Sequence, residues 1–298
     1  MSHYQPGILA TPVPSQARHL FFALDMADAL PAALDRLTQW LAGQSAVVGF
    51  GESLVKALGA SINGLRPFPA LAGVGVDNPS TQHALWCWLH SVEGDDRGDL
   101  LNRSQALEAV LAPALRRVQM NEAFRHKSGH DLTGYEDGTE NPHDEAALAA
   151  ALVSEGVDGT VGGSFAAIQQ WQHDLKGFHR LSAGEKDDIM GRRLSDNVEL
   201  DDAPISAHVK RTAQESFAPE AFVVRRSMPW IEGDRAGLMF LAFGFSLDAF
   251  EVQLRRMSGL EDGIVDGLYK ISRPITGGYY WCPPLKDGQL DLRALSSD

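Results

Sequence analysis

The sequence predicts an α+β protein built from two successive β-α-β-β-α-β units, with antiparallel sheets and helices at their periphery. Three observations lead there. The chain has 298 residues, which suits two modules of about 150 residues each. Its composition is that of a globular protein, 44% apolar and 22% charged, and so argues against a disordered or fibrous chain. Strand-like apolar runs and helical apolar faces then alternate in the same order in each half, although no literal repeat is present.

Residues 18–25, RHLFFALD, read as a strand bounded by polar residues. Asp28 is placed to cap a helix with Leu30, Leu34, Leu37 and Leu41 on one face, ending at Gly43. Residues 46–51 and 84–91 follow as strands, and the Gly-, Pro- and Asn-rich stretch 60–80 between them reads as loop. Leu107, Val110, Leu111, Leu115 and Val118 suggest a second helical face that Pro113 bends or splits, before a short strand around 121–127. In the second half, residues 163–171 read as a strand, and Ser182 with Glu185 forms a capping box for a helix ended by Gly191. Residues 221–230 and 237–245 are strand candidates; Leu247, Phe250, Leu254 and Met257 mark a helix after Ser246, and residues 278–282 close with a strand. The expected units are residues 1–145 and 146–298.

Charge and cysteine content restrict function. Net charge is −13, with 39 acids against 26 bases; this field repels phosphate backbones and anionic lipid, so neither nucleic acid nor membrane is an expected partner. Cys87 and Cys282 lie far apart with no CxxC spacing, which excludes a zinc knuckle, a dithiol redox pair and covalent haem attachment through CxxCH. Two buried free thiols are expected. The first residues show no basic, apolar or twin-arginine leader pattern, and no apolar run approaches the roughly 20 residues that span a bilayer. A soluble, cytoplasmic protein is the expectation.

Several residues can carry chemistry. In GYEDGTENP, residues 134–142, Glu136, Asp137, Glu140 and Asn141 crowd around Gly138, Thr139 and Pro142. Taken alone this is ordinary turn chemistry, a solvated Asp-Gly turn with a proline exit. Among ten histidines, none forms HExxH or a His/Cys cluster. His19, His83 and His90 fall at strand edges, and His173 ends an apolar strand and could face a cavity. His208 follows an acidic, proline-broken loop, where a lone histidine is more often a surface residue. A metal here would need a single axial histidine, as haem iron can have. In FVVRRSMP, strand alternation sends Arg225 and Arg226 to opposite faces, so one points inward and needs an anionic partner or a place at the rim.

The segment DLTGYEDGTENP closely resembles the signature of the dye-decolourising peroxidases, haem enzymes whose distal loop carries GxxDG, here Gly134 to Gly138. GGSFAAIQQWQHDL, IMGRR, AHVKR, VVRRSMPW and RPITGGYYWCP resemble further family segments in the expected order, so the likeness runs from about residue 18 to 284. The short length is most similar to the bacterial P-type (older B-type) members. The resemblance implies two ferredoxin-like modules, with the distal loop from the first and the haem site in the second.

It also implies roles. His208 is the proximal iron ligand, Asp137 the distal acid–base residue and Arg225 the distal arginine. Ser227 stands where many relatives have asparagine, as a weaker distal hydrogen-bonding group at the cofactor. Arg192 resembles an arginine near haem propionates; Gly138, Thr139, Glu140 and Asn141 are placed at the cofactor edge, Gly138 because a loop above the porphyrin leaves no room for a Cβ. Asp266 is the expected acceptor from His208 Nδ1, with Asp262 its rival. The implied cofactor is one non-covalent haem b (iron protoporphyrin IX) per chain. The implied reaction is reduction of H2O2 through a ferryl porphyrin radical, with single-electron oxidation of small aromatic donors or bulky dyes. Trp171, Tyr279, Tyr280 and Trp281 are weighed as surface electron relays against simple core packing. A haem-carrying or porphyrin-processing protein with incidental peroxidase activity is the alternative. A homo-oligomer (dimer or higher) is expected, and packaging in a protein nanocompartment finds no clear motif in the polar C-terminal tail.

Overall fold

The computed structural model of the chain describes residues 3–295. The first half runs β1 (Gln16–Leu24), α1 (Leu30–Leu41), β2 (Ala46–Phe50), α2 (Glu52–Ala57), β3 (Leu71–Gly73), β4 (Val76–Asn78), β5 (Leu85–His90), α3 (Arg97–Leu111) and β6 (Leu115–Phe124). The second runs α4 (Asp144–Ala151), β7 (Ser164–His173), α5 (Leu175–Arg180), α6 (Ala183–Met190), α7 (His208–Arg211), β8 (Val224–Arg225), β9 (Met228–Glu232) and β10 (Arg235–Gly244). It ends with α8 (Asp248–Met257), β11 (Ser272–Pro274), β12 (Gly278–Cys282), β13 (Leu285–Lys286) and β14 (Gln289–Leu290).

One antiparallel sheet has the order β6-β1-β5-β2-β12-β7-β10-β8, with β11 beside β7 and β9 beside β10. Counted in chain order, the main strands of each half stand fourth, first, third, second. That is the ferredoxin-like order, used twice. The halves join where β12 meets β2, at Trp281 opposite Phe50.

Strand alternation gives each half two buried faces. On β5, Leu85, Cys87 and Leu89 join the core under the helices, together with Leu30, Leu34 and Leu37 of α1 and Phe250 and Leu254 of α8. Burying each such side chain stabilises the fold by about 1.5–3 kcal/mol. Trp86 and Trp88 point the other way, into a second core shared with Val224, Met239, Leu241 and Phe243 of the second half. The capping box at Ser182 and Glu185 is formed and opens α6.

Some expectations are corrected. Asp28 lies in a 3-10 turn, and α1 starts from Ala29 without a side-chain cap. Asp96 instead caps α3, reciprocally with Asp99. That helix ends at Leu111, and Leu115 and Val118 belong to β6, because Pro113 stops the helix rather than bending it. The 60–80 segment contains the β3–β4 ribbon. The run 221–230 splits into β8 and β9. His19 and His90 are buried, not at exposed edges: His19 stacks between Trp86 and Trp88, and His90 sits against Trp88. Trp171, Tyr279, Tyr280 and Trp281 are all buried, so none is a surface aromatic. Cys87 and Cys282 are free and buried, and burial pushes both thiols well above the ordinary range.

Candidate haem site

A cavity opens in the second half, between the helix-side face of the sheet and the helices over it. Its floor comes from alternate residues of β7 and β10: Gln169, Trp171, Leu238 and Phe240. The outer wall is apolar, from Met190 of α6, Phe250, Leu254 and Met257 of α8, and Leu268. The loop after β6 supplies Asp131, Thr133, Tyr135, Glu136 and Asp137, while α7 supplies His208 and β8 supplies Arg225. A second, more polar depression shares Asp137, His208 and Arg225 and adds Thr139, Glu140, Arg192 and Glu199. The two describe one cleft with an apolar interior and a charged mouth.

His208 begins α7, which is held against the end of α6. Gly191 ends α6 with a φ of +84°, and a Cβ there would lie 2.2 Å from Val209 Cγ1, so only glycine permits this approach. His208 Nδ1 lies 2.8 Å from Asp266 Oδ2. The other carboxylate oxygen accepts from the Leu268 backbone N–H at 2.8 Å, and the Asp266 side chain has no exposed surface. A carboxylate accepting from Nδ1–H leaves the lone pair on Nε2. The rival Asp262 is elsewhere, in a bidentate pair with Arg211 at 2.7 and 2.8 Å, whose hydrogen bonds hold its carboxyl below the usual range.

Asp137 and Arg225 meet on the loop side of the cleft, with Nε to Oδ1 at 3.5 Å. This is an ion-pair distance rather than a tight hydrogen bond. Both side chains are mostly buried, at 21% and 18% exposure, so water screens the pair only partly. Asn141 fixes their relation. Its side chain accepts from the Arg225 backbone N–H at 2.7 Å and donates to the Arg225 carbonyl at 3.0 Å. One amide thereby ties β8 to the loop as a neighbouring strand would. Arg226 faces away, donating to the Leu9 carbonyl at 2.9 Å, and burial lowers its guanidinium to about 10.

The remaining sequence-derived residues occupy different positions. Arg192 lines the mouth, paired with Glu140 and 3.3 Å from Glu199. Thr139 accepts from Asn197 Nδ2 at 2.9 Å. Gly138 has a φ of +82°, and a Cβ would lie 2.9 Å from Asn141 Nδ2; in the protein alone, glycine is already required by the turn and by the Asn141 clamp. Gly138, Asn141 and Ser227 do not line the cleft. Ser227 Oγ is buried without a partner.

Sequence inspection missed the polar residues deeper in the cavity. Asp131 is 8% exposed. Burial opposes its charge, but hydrogen bonds from His173 and Thr133 outweigh that and hold its carboxyl below the usual range. Gln169 presents an unpartnered, buried Nε2. The position of His173 at the end of an apolar strand was the available signal.

The donor set can be tested against a haem. Among the described residues, no three His, Cys, Asp or Glu side chains converge as a metal site. The cleft instead offers one imidazole with a carboxylate-fixed Nδ1, a broad apolar wall and polar groups at one edge. Those features suit a flat apolar macrocycle held by a single axial nitrogen with an ionic rim. The residues fit the group.

Comparison with known proteins agrees. Residues 128–287 match the model of the Dyp-type peroxidase C-terminal region, more than half of the chain. A dye-decolorizing peroxidase of Mycolicibacterium paratuberculosis is 26% identical over 300 residues, covering 94% of this chain and 83% of that protein. A DypB variant from Rhodococcus jostii in complex with heme superposes with a TM-score of 0.83 at 26% identity, covering 92% of this chain and 94% of that one. A dye-decolorizing protein from V. cholerae gives 0.79 at 28% identity, with 94% and 96% covered. The chain belongs to the Dyp-type peroxidase family and is a haem-binding oxidoreductase with B-type enzymes among its structural neighbours.

Proposed function

We propose that the chain is a haem b peroxidase that reduces H2O2 and oxidises bulky aromatic donors one electron at a time. One observation carries this: Asp137, Arg225 and the Asp266-backed His208 line a single cleft. His208 Nε2 is the group that would hold the iron, with Asp266 making the imidazole a stronger donor. Arg192 at the mouth would offer its charge to the carboxylates of the macrocycle. When bound, haem takes up the two oxidising equivalents of peroxide and returns them to donors singly.

The protein's own part is proton handling. Asp137 takes a proton from one peroxide oxygen and returns it to the other, which departs as water. Arg225, 3.5 Å from Asp137, offsets the negative charge that gathers on the departing oxygen, and it is fixed in advance by Asn141. Non-covalent haem is supported by Cys87 and Cys282, which are both buried and absent from the cleft lining. Two free thiols also fit a reducing cytoplasm.

The test is a rapid-mixing absorption experiment in which haem-loaded protein meets one equivalent of H2O2. The wild-type spectrum should change within the mixing experiment, and Asp137→Ala and Arg225→Ala should each slow that change about 100-fold or more. Equal rates in all three proteins would contradict a dedicated peroxidase and favour a haem carrier.

A further inference from the structure

Asp131 and His173 lie deep in the cavity wall, and the roles above use neither. His173 Nε2 is 2.9 Å from Asp131 Oδ1, and its Nδ1 is 2.6 Å from Ser272 Oγ. The His173 side chain is 4% exposed, as is Ser272. Sheet register produces the outer contact, because Ser272 of β11 pairs directly with His173 of β7. The inner contact is set by the loop, where Thr133 donates twice to Asp131 Oδ2, at 2.9 and 2.6 Å. All three groups line the cavity. His173 and Ser272 also line a second depression on the outside of β7 and β11, rimmed by Lys176, His179, Lys270 and Arg273. Those four rim residues are exposed.

We propose that Asp131, His173 and Ser272 form a proton conduit from that outer depression to the cavity. The chemistry follows from the hydrogen bonds. With Asp131 accepting from Nε2–H, Nδ1 holds the lone pair and accepts from the Ser272 hydroxyl. A proton from water in the outer depression bonds to Ser272 Oγ as the serine's own proton moves to Nδ1. The Nε2 proton then moves to Asp131, which releases it into the cavity. One proton enters, one leaves, and no electron moves; the imidazole is left as its Nδ1–H tautomer, which returns to the starting one by proton exchange with water between passages. Reduction of H2O2 to two waters consumes two protons, and a cavity filled by an apolar macrocycle must obtain them through its wall. This use of the protons rests on the peroxidase reading; the conduit itself does not.

A bland role is available, in which Asp131 and His173 merely pin the loop that carries Asp137. Ser272→Ala separates the two, because it leaves the Asp131–His173 pair intact and cuts only the outer link. The first measurement is exchange of the His173 Nε2–H with solvent, by NMR of histidine-labelled full chain loaded with zinc protoporphyrin as a diamagnetic stand-in. Ser272→Ala should slow this exchange about tenfold or more, and Ser272→Thr should restore it. Equal exchange in wild type and Ser272→Ala overturns the conduit, whether or not the protein is a peroxidase. The second measurement is H2O2 turnover by the haem-loaded chain, where Ser272→Ala should be slower and imidazole buffer should restore the rate. Slowed exchange with unchanged turnover overturns the supply role; a wild type without turnover bears on the peroxidase reading alone.

Discussion

Replacing Asp266 by asparagine changes one oxygen to an amide nitrogen without altering shape, yet the environment cannot accept it. Two N–H donors converge on this carboxylate at 2.8 Å each, from His208 Nδ1 and Leu268 N. An asparagine has only one acceptor oxygen, so one donor must face an NH2 group. If the oxygen serves Leu268, the amide NH2 forces His208 into the tautomer with a protonated Nε2, which cannot ligate iron. If the oxygen serves His208, a backbone donor is left unpaired beside a side chain with no exposed surface. Either outcome costs about 1–3 kcal/mol, and second-shell losses of this kind reduce metal affinity about 10- to 100-fold. Asp266→Asn should therefore weaken haem binding by that factor, measured from the rate of haem transfer to an excess of apomyoglobin. Asp262→Asn is the control and should leave transfer unchanged, because Asp262 serves Arg211. Equal transfer from wild type and Asp266→Asn would refute the assignment of Asp266 as the partner that fixes the imidazole.

Three further outcomes are expected. His208→Ala should lose most bound haem, and full retention with an unchanged absorption spectrum would defeat its role as ligand. Asn141→Ala removes both hydrogen bonds to the Arg225 backbone; it should lower the rate of reaction with peroxide while haem content stays near wild type, checked by rapid mixing and absorbance. Stability should fall with acid because His19 and His90 are pushed from 6.5 down to about 3, each chiefly by burial. Below about 6.5 the unfolded chain binds protons that these imidazoles refuse, so their contribution is complete above that value and declines as pH falls towards 3, at up to about 1.4 kcal/mol per unit for each imidazole. Urea midpoints at pH 7 and pH 5 measure this, and His19→Gln combined with His90→Gln should flatten the dependence.

Much of the fold was legible along the chain. Apolar runs mark β1, β5, β7, β10 and β12, and the Leu247–Met257 face marks α8, because hydrophobicity and period are local properties that neighbouring residues declare. The dense motif at residues 134–142 and the lone His208 stood out through likeness to a known family, since composition alone reads them as a solvated turn and a surface residue. The element boundaries near Pro113 were less legible, since a helical spacing of leucines continued across the residue that ends the helix.

By itself, then, the sequence determined the strand and helix order, the acidic surface and the residue types available for chemistry. Tertiary structure alone decided which carboxylate serves His208, because Asp262 and Asp266 differ in partner and not in type. It alone revealed that Asn141 clamps Arg225 and that His173 meets both Asp131 and Ser272. These pairs are separated by 84, 42 and 99 positions, and a hydrogen bond over such a span exists only once sheet register and helix packing have fixed both ends to within an ångström. Local periodicity carries no information about that distance.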